Sequence, residues 1–172
     1  MQGKKVLEAS ASEHWGTPDH VADGIQAVWG NFDLDAAASA YNAKAAEWYG
    51  EEDDGLKQDW YGVTFCNPPF NLKKKMRVDP WIAKARHETE RTEGDLCRRA
   101  ILLVPARTSN KWWHEHVMGV AAYVIFVKGR IKFTLPGKTN CATFPSVILV
   151  FDPETRGLNG QTIFGAWTPP KH

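Results

Sequence analysis

Val63-Thr64-Phe65-Cys66-Asn67-Pro68-Pro69-Phe70 decides how the chain is read. The opening β-branched and aromatic run has the composition of a short buried strand. That strand ends at Asn67, because two prolines lack the N–H a ladder needs and stiffen the turn that follows. Its end presents the Asn67 side-chain oxygen, the Pro68 backbone carbonyl and the Phe70 ring as one rigid cluster. Such a cluster suits a planar ring that carries an exocyclic NH2. The oxygens accept its protons and leave the nitrogen lone pair less delocalised, while the aromatic plate stacks on the ring face.

Outward from this strand, periodicity and punctuation give the remaining elements. Thr17 reads as the N-cap and Pro18 as the first residue of a helix through Val21, Ile25 and Val28 that stops near Gly30. Residues 32–35 alternate and predict a first strand. The alanine-rich stretch 36–48 predicts a helix, and 51–54 an acidic loop closed by Gly55. Residues 71–78 form a basic loop, after which Asp79-Pro80 opens a helix from Trp81 to about Arg91, with Ile82 and Ala85 on its buried side. Strands are expected at 100–104, 122–128, 131–134, 146–151 and 162–167, a helix at 112–118, a turn at Gly129-Arg130 and a loop at 135–143.

Strands alternating with helices predict an α/β fold, a mostly parallel sheet covered on both faces, in a single domain from residue 14 onward. Residues 1–13 are polar and expected to be loosely held. The later strands follow one another without long helices, which predicts an antiparallel hairpin at the sheet edge. Ligands of such sheets bind beyond the carboxyl ends of the strands. Asp35 and Asn67 both end strands, so they are expected to face one cleft.

Bulk properties narrow the choices. The chain has 172 residues, 43% hydrophobic and 24% charged, the make-up of an ordinary globular domain. A net charge of +1 means that any surface for an anionic polymer must be local. No apolar run approaches membrane-spanning length, and the lysines near the N-terminus are not followed by the apolar core of a signal peptide. Three cysteines far apart, Cys66, Cys97 and Cys141, argue against a disulfide framework and for a reducing cytoplasm. They and the six histidines lack paired ligand spacing, so no metal is expected. The eight tryptophans are mostly packing residues, with a minority available as stacking platforms.

Asn67-Pro68-Pro69-Phe70 resembles the (Asp/Asn/Ser)-Pro-Pro-(Tyr/Phe) motif of amino-methyltransferases that use S-adenosylmethionine. Trp15-Gly16-Thr17-Pro18, Leu34-Asp35-Ala36-Ala37, Asn42-Ala43-Lys44, Asp53-Asp54-Gly55-Leu56, Gln58-Asp59-Trp60, Pro105-Ala106-Arg107-Thr108 and Gly129-Arg130-Ile131-Lys132-Phe133 follow in the order of one family. That family is the phage-type (Dam-like) DNA N6-adenine methyltransferases, and the resemblance spans roughly residues 15–151. It implies a Rossmann-like methyltransferase fold and methyl transfer to N6 of adenine in DNA, in a bacterial host cytoplasm if phage-encoded. Asn67, Pro68, Pro69 and Phe70 would then be catalytic, with Phe70 stacked on an extruded base.

The resemblance also distributes cofactor roles. Trp15, Thr17 and Pro18 match the element at the methionine end of the cofactor. Asp35 matches the acid ending the first strand, although Ala36-Ala37-Ala38-Ser39 replaces the wider superfamily's Gly-x-Gly turn. Asp33, two residues earlier on the same strand face, competes with it. One of Glu51, Glu52, Asp53 and Asp54 would bind the ribose, with Asp54 favoured because Gly55 permits a tight turn there. Asp59 and Trp60 match the element at the cofactor adenine. For DNA, the basic candidates are Lys73, Lys74, Lys75, Arg77, Arg107, Lys111, Arg130 and Lys132, with Trp112 or Trp113 filling the space left by a flipped base. Target recognition would come from loops 71–79 and 135–144, and oligomeric state is open.

The motif alone serves any planar NH2, so RNA adenine, cytosine N4 and protein glutamine amide remain alternative substrates. A second class is a degenerate methyltransferase fold that binds nucleic acid without catalysis. The absent Gly-x-Gly favours that class, and the intact Asn-Pro-Pro-Phe favours an enzyme.

Overall fold

The computed structural model describes residues 15–70, 77–155 and 160–171. Seven strands form one sheet in the order β2-β1-β3-β4-β8-β5-β9. They are β1 (Leu34–Asp35), β2 (Glu47–Trp48), β3 (Gly62–Cys66), β4 (Cys97–Pro105), β5 (Tyr123–Val127), β8 (Ser146–Phe151) and β9 (Ile163–Trp167). A separate two-stranded hairpin pairs β6 (Lys132–Leu135) with β7 (Lys138–Cys141). The helices are α1 (Asp19–Trp29), α2 (Asp79–Glu90) and α3 (Lys111–His116).

Every pairing in the large sheet is parallel except the two made by β8, which runs antiparallel to β4 and to β5. The expected mostly parallel sheet is therefore present, but its reversed strand is interior and the edge beyond it is the parallel β9. A strand buried on both sides must be apolar throughout, and Ser146–Phe151 is buried at every position.

Two cores cover the faces, sorted by the strand period of two. Val63, Phe65, Ile101, Leu103, Ile148 and Val150 pack on Val21, Ala22 and Ile25 of α1. Cys66, Ala100, Leu102, Val104, Val147 and Leu149 pack on Trp81, Ile82 and Ala85 of α2 and on Trp112 and Trp113 of α3. Both α3 tryptophans are core residues, so neither is placed to fill a vacated base position.

Three local expectations are corrected. Residues 36–48 form turns and β2 rather than a helix. The Asp35 carboxylate accepts from the backbone N–H of Ala37 at 3.4 Å and of Lys44 at 3.0 Å, and the Ser39 N–H donates to Asn42 Oδ1 at 2.7 Å. Alanine's helix preference is worth only a few tenths of a kcal/mol per residue, too little against a buried carboxylate that gathers the loop around itself. Thr17 is not the cap of α1: Pro18 holds that position and its carbonyl receives the N–H of Val21 and Ala22. Residues 135–143 contain β7, because Pro136-Gly137, with Gly137 at φ 71°, closes a tight turn back onto β6.

Candidate active site

Strands β1, β3 and β4 run the same way, so their carboxyl ends open along one rim. Asn67 follows β3 there, and its Nδ2 donates to the Trp15 carbonyl at 3.1 Å. That bond commits the amide nitrogen, so Oδ1 is the atom left to accept. Trp15 is held in turn because the next residue, Gly16, exchanges backbone hydrogen bonds with Thr134 of β6 at 2.7 and 2.9 Å. A Cβ on Gly16 would lie 2.8 Å from the Asn42 Cβ, so only glycine lets these segments close.

Two clefts meet at Asn67. The first has a volume of about 680 Å³ and is floored by Ala36, Ala37 and Ala38, with Tyr49 and Trp81 as aromatic walls and Glu51 and Asp54 as acids. The second, about 700 Å³, is bounded by Pro68 and Phe70 on one side and by Phe133, Asn140, Cys141 and Phe144 of the hairpin and the chain after it on the other. Trp15, Asn67 and Pro69 line both.

The first cleft depends on close backbone packing. A Cβ at Gly55 would lie 2.1 Å from the Ala36 carbonyl oxygen, so the glycine is required for approach. The tight turn itself is made by Asp54, at φ 55°, whose carboxylate pairs with Lys57 at 2.9 Å. The Asp54–Lys57 pair holds that carboxyl below its usual value. Asp35 lies beneath the floor, 2% exposed; burial pushes its carboxyl up to about 6, against the two N–H donors that favour the charged form. The Thr17 hydroxyl is buried, and among the described residues it has no hydrogen-bond partner.

Several sequence expectations fall outside this cleft. The Asp33 carboxylate accepts from the Val63 N–H at 2.8 Å and lies 3.5 Å from Arg98, serving as a strand-edge contact. Asp59 is exposed and pairs with Arg91 at 2.9 Å. Trp60 has no exposed surface; its indole N–H donates to the Gly55 carbonyl and its ring stacks on Trp81 at 6.4 Å, so it supports the wall that Trp81 forms. Besides Trp15, the aromatic residues facing the first cleft are thus Trp81, from the start of α2, and Tyr49 just after β2. No sequence motif singled them out, because their role comes from the crossover geometry.

In the second cleft Phe70 is half-buried and meets Phe144 edge-on, centroids 5.8 Å apart at 78°. The Arg107 guanidinium lies over the Phe70 ring, 5.2 Å from its centroid. Among the other basic candidates, Arg77 pairs with Asp79 at 2.8 Å and Lys111 with Glu115 at 3.1 Å. Arg130 and Lys132 are exposed at the base of the hairpin, and Lys132 sits opposite Cys141 in the ladder. Lys73, Lys74 and Lys75 lie outside the described residues. Among the described residues no group of histidines, cysteines and acids is spaced to hold a metal, and no helix is long and apolar enough to cross a membrane.

A parallel sheet with one reversed interior strand, and paired clefts over its carboxyl rim, define a Rossmann-like methyltransferase fold. The crystal structure of a protein named "putative RNA methyltransferase PH1948", from Pyrococcus horikoshii, superposes with a TM-score of 0.52 over 88% of this chain and 92% of that one. Identity is 14%, so the likeness is one of fold. The chain belongs to the family described as DNA N-6-adenine-methyltransferase (Dam), whose model matches residues 4–160. A DNA N-6-adenine-methyltransferase of Escherichia phage T1 is 29% identical over 126 residues, covering 72% of this chain and 48% of that protein. The chain thus spans about half the length of that relative. One of the same name from Haemophilus phage HP1 is 23% identical over 159 residues, 90% of this chain and 87% of that protein.

Proposed function

We propose that the protein transfers a methyl group from S-adenosylmethionine to N6 of adenine in DNA, with the cofactor in the first cleft and an extruded adenine in the second. The observation that carries this reading is the sharing of Asn67 between two clefts of different character. A group transfer between two bound molecules needs such a shared wall. Family membership and the names of the phage relatives supply the substrate.

The lining of the first cleft suits the cofactor. Small alanines allow close approach, Trp81 and Tyr49 offer apolar faces for an adenine, and Glu51 and Asp54 can accept from ribose hydroxyls. The orphaned Thr17 hydroxyl, in the segment that carries Trp15, is available to the amino-acid end. Asp35 acts indirectly, shaping the alanine floor through its two backbone bonds. When bound, S-adenosylmethionine supplies an electrophilic methyl on a sulfonium, so no nucleophilic side chain is needed.

The chain's own contribution is to the poor nucleophile. Asn67 Oδ1 and the Pro68 carbonyl accept the two N6 protons, which turns the nitrogen lone pair out of conjugation with the ring. Asn67 and Pro68 would hold N6 in line with the methyl group that the bound cofactor would supply, and the methylated nitrogen would release its surplus proton to water. Phe70 stacks on the base, which must leave the duplex to reach it. Arg130 and Lys132 supply phosphate contacts near the hairpin, with Arg77 and Lys111 further out.

Methyl transfer from tritiated cofactor to DNA, RNA and protein, assayed side by side with nucleoside identification, tests this. Labelled N6-methyladenine from DNA is expected. Label confined to RNA, to protein or to cytosine N4, or a protein that binds no cofactor in calorimetry, would refute it.

A further inference from the structure

Arg107 stands in a rigid place. It follows β4, its N–H donates to the Pro105 carbonyl at 2.9 Å, and its carbonyl accepts from the Asn110 N–H at 3.1 Å. Its guanidinium lies 5.2 Å from the Phe70 centroid, inside the ~6 Å range of a cation–π contact. Among the described residues its buried Nε has no hydrogen-bond partner and no carboxylate pairs with it. A buried donor without an acceptor is unfavourable. An arginine held only for a passing phosphate would turn that donor to water. What opposes the turn is the attraction of the ring.

The cleft geometry gives this contact a direction. Phe70 lines the second cleft, and the Arg107 guanidinium lies over its ring. Phe144 meets the same ring edge-on at 5.8 Å and does line that cleft. Among the described residues the ring therefore has a cation over one face and an aromatic at its edge, which leaves its other face for a base. Asn67 is fixed separately, through Trp15. The two halves of the base clamp thus have independent supports.

We propose that Arg107 is a positioning residue that sets the plane of the Phe70 ring and acts on the target base through that ring, not by neutralising a DNA phosphate. This rests on the reading of residues 67–70 as the clamp on the base. A preset ring spares the base the ordering of its stacking partner, which would otherwise be subtracted from binding in the flipped state.

Arg107→Met keeps the apolar stem and removes the cation; Phe70→Leu removes the ring. Arg107→Met is expected to lower kcat by about 2- to 30-fold, the size of a cation–π contact, with an unchanged slope of DNA affinity against salt. In the Phe70→Leu background it should cost no more than about twofold further, because the partner it acts through is gone. Multiplicative losses in the double variant, or a salt slope reduced by about one, would overturn the proposal. Cofactor binding checks that the first cleft is intact in each variant. In the unliganded protein, the aromatic NMR signals of Phe70 should shift and broaden on Arg107→Met but not on Arg130→Met. Unchanged Phe70 signals would overturn the proposal whatever the substrate is. A wild-type protein that methylates nothing would instead count against the base-clamp reading, with the NMR result still deciding whether Arg107 holds the ring.

Discussion

The two clefts that meet at Asn67 are built in opposite ways. The first is made by burial and backbone: the Asp35 carboxylate lies under the floor, a glycine permits contact with the Ala36 carbonyl, and Trp60 backs the Trp81 wall from the core. The second is made by side chains on a small hairpin outside the main sheet, where Asn140, Cys141 and Thr143 are exposed. Rigid elements hold a ligand of fixed shape without paying ordering costs at binding. A hairpin attached through Gly16 and Thr134 can vary its exposed residues without disturbing the sheet. The difference separates a side held by burial and backbone from one whose exposed side chains are free to vary.

The comparison is tested most severely at its shared wall. Asn67→Ala should reduce methyl transfer by about 100- to 1000-fold, the size of one preorganised polar contact to a developing charge. Cofactor affinity should stay within about threefold, about 0.7 kcal/mol. Single-turnover rates and calorimetry separate the two; equal losses would mean that the clefts are not distinct.

Asp35 tests the buried character of the first cleft. Its folded-state value of about 6 lies above the ordinary 3.8. The protonated form therefore favours folding, and this contribution is fully present below about pH 4 and lost as pH rises through about 6. Relative to Asp35→Asn, wild type should lose about 2 kcal/mol of unfolding free energy between pH 4 and pH 7. Urea unfolding at the two pH values measures this, and a difference that does not move with pH would show the carboxyl to be solvated.

Gly55→Ala places a Cβ against backbone that cannot rotate away, so the floor and the acidic loop must part. A stability loss of about 1–3 kcal/mol is expected, with cofactor affinity at least about tenfold weaker. Normal affinity would show that the loop can shift freely. The smallest effect belongs to the hairpin side: Arg130→Met with Lys132→Met should lower the salt slope of DNA affinity by about two and leave cofactor binding unaltered. An unchanged slope would remove both from the DNA surface.

Legibility followed the same division. The strand ending at Asn67 was readable because hydrophobic runs and paired prolines act locally. Residues 36–48 misled because alanine propensity is weak and Asp35 overrules it from a distance in sequence. Trp60 resembles a contact residue, yet the residue that lines the cleft is Trp81, which Trp60 supports through the core. Pro136-Gly137 was a usable turn signal for the hairpin, since a proline followed by a residue at positive φ makes a tight reversal. Asp33 and Asp35 could not be ranked by alternation, because one strand face includes both; burial and the loop that wraps Asp35 separate them.

Sequence by itself determined the alternation of strands and helices, the apolar strands of the sheet interior, and the rigid Asn67–Phe70 turn, all of which arise from interactions between near neighbours. Only the tertiary structure decided that Asn67 is shared by two clefts, that Trp81 and Tyr49 wall one of them, and that Arg107 lies over the Phe70 ring. Those relations join residues far apart in the chain, and no local pattern encodes a distance that exists only once the sheet has brought its carboxyl ends to one rim.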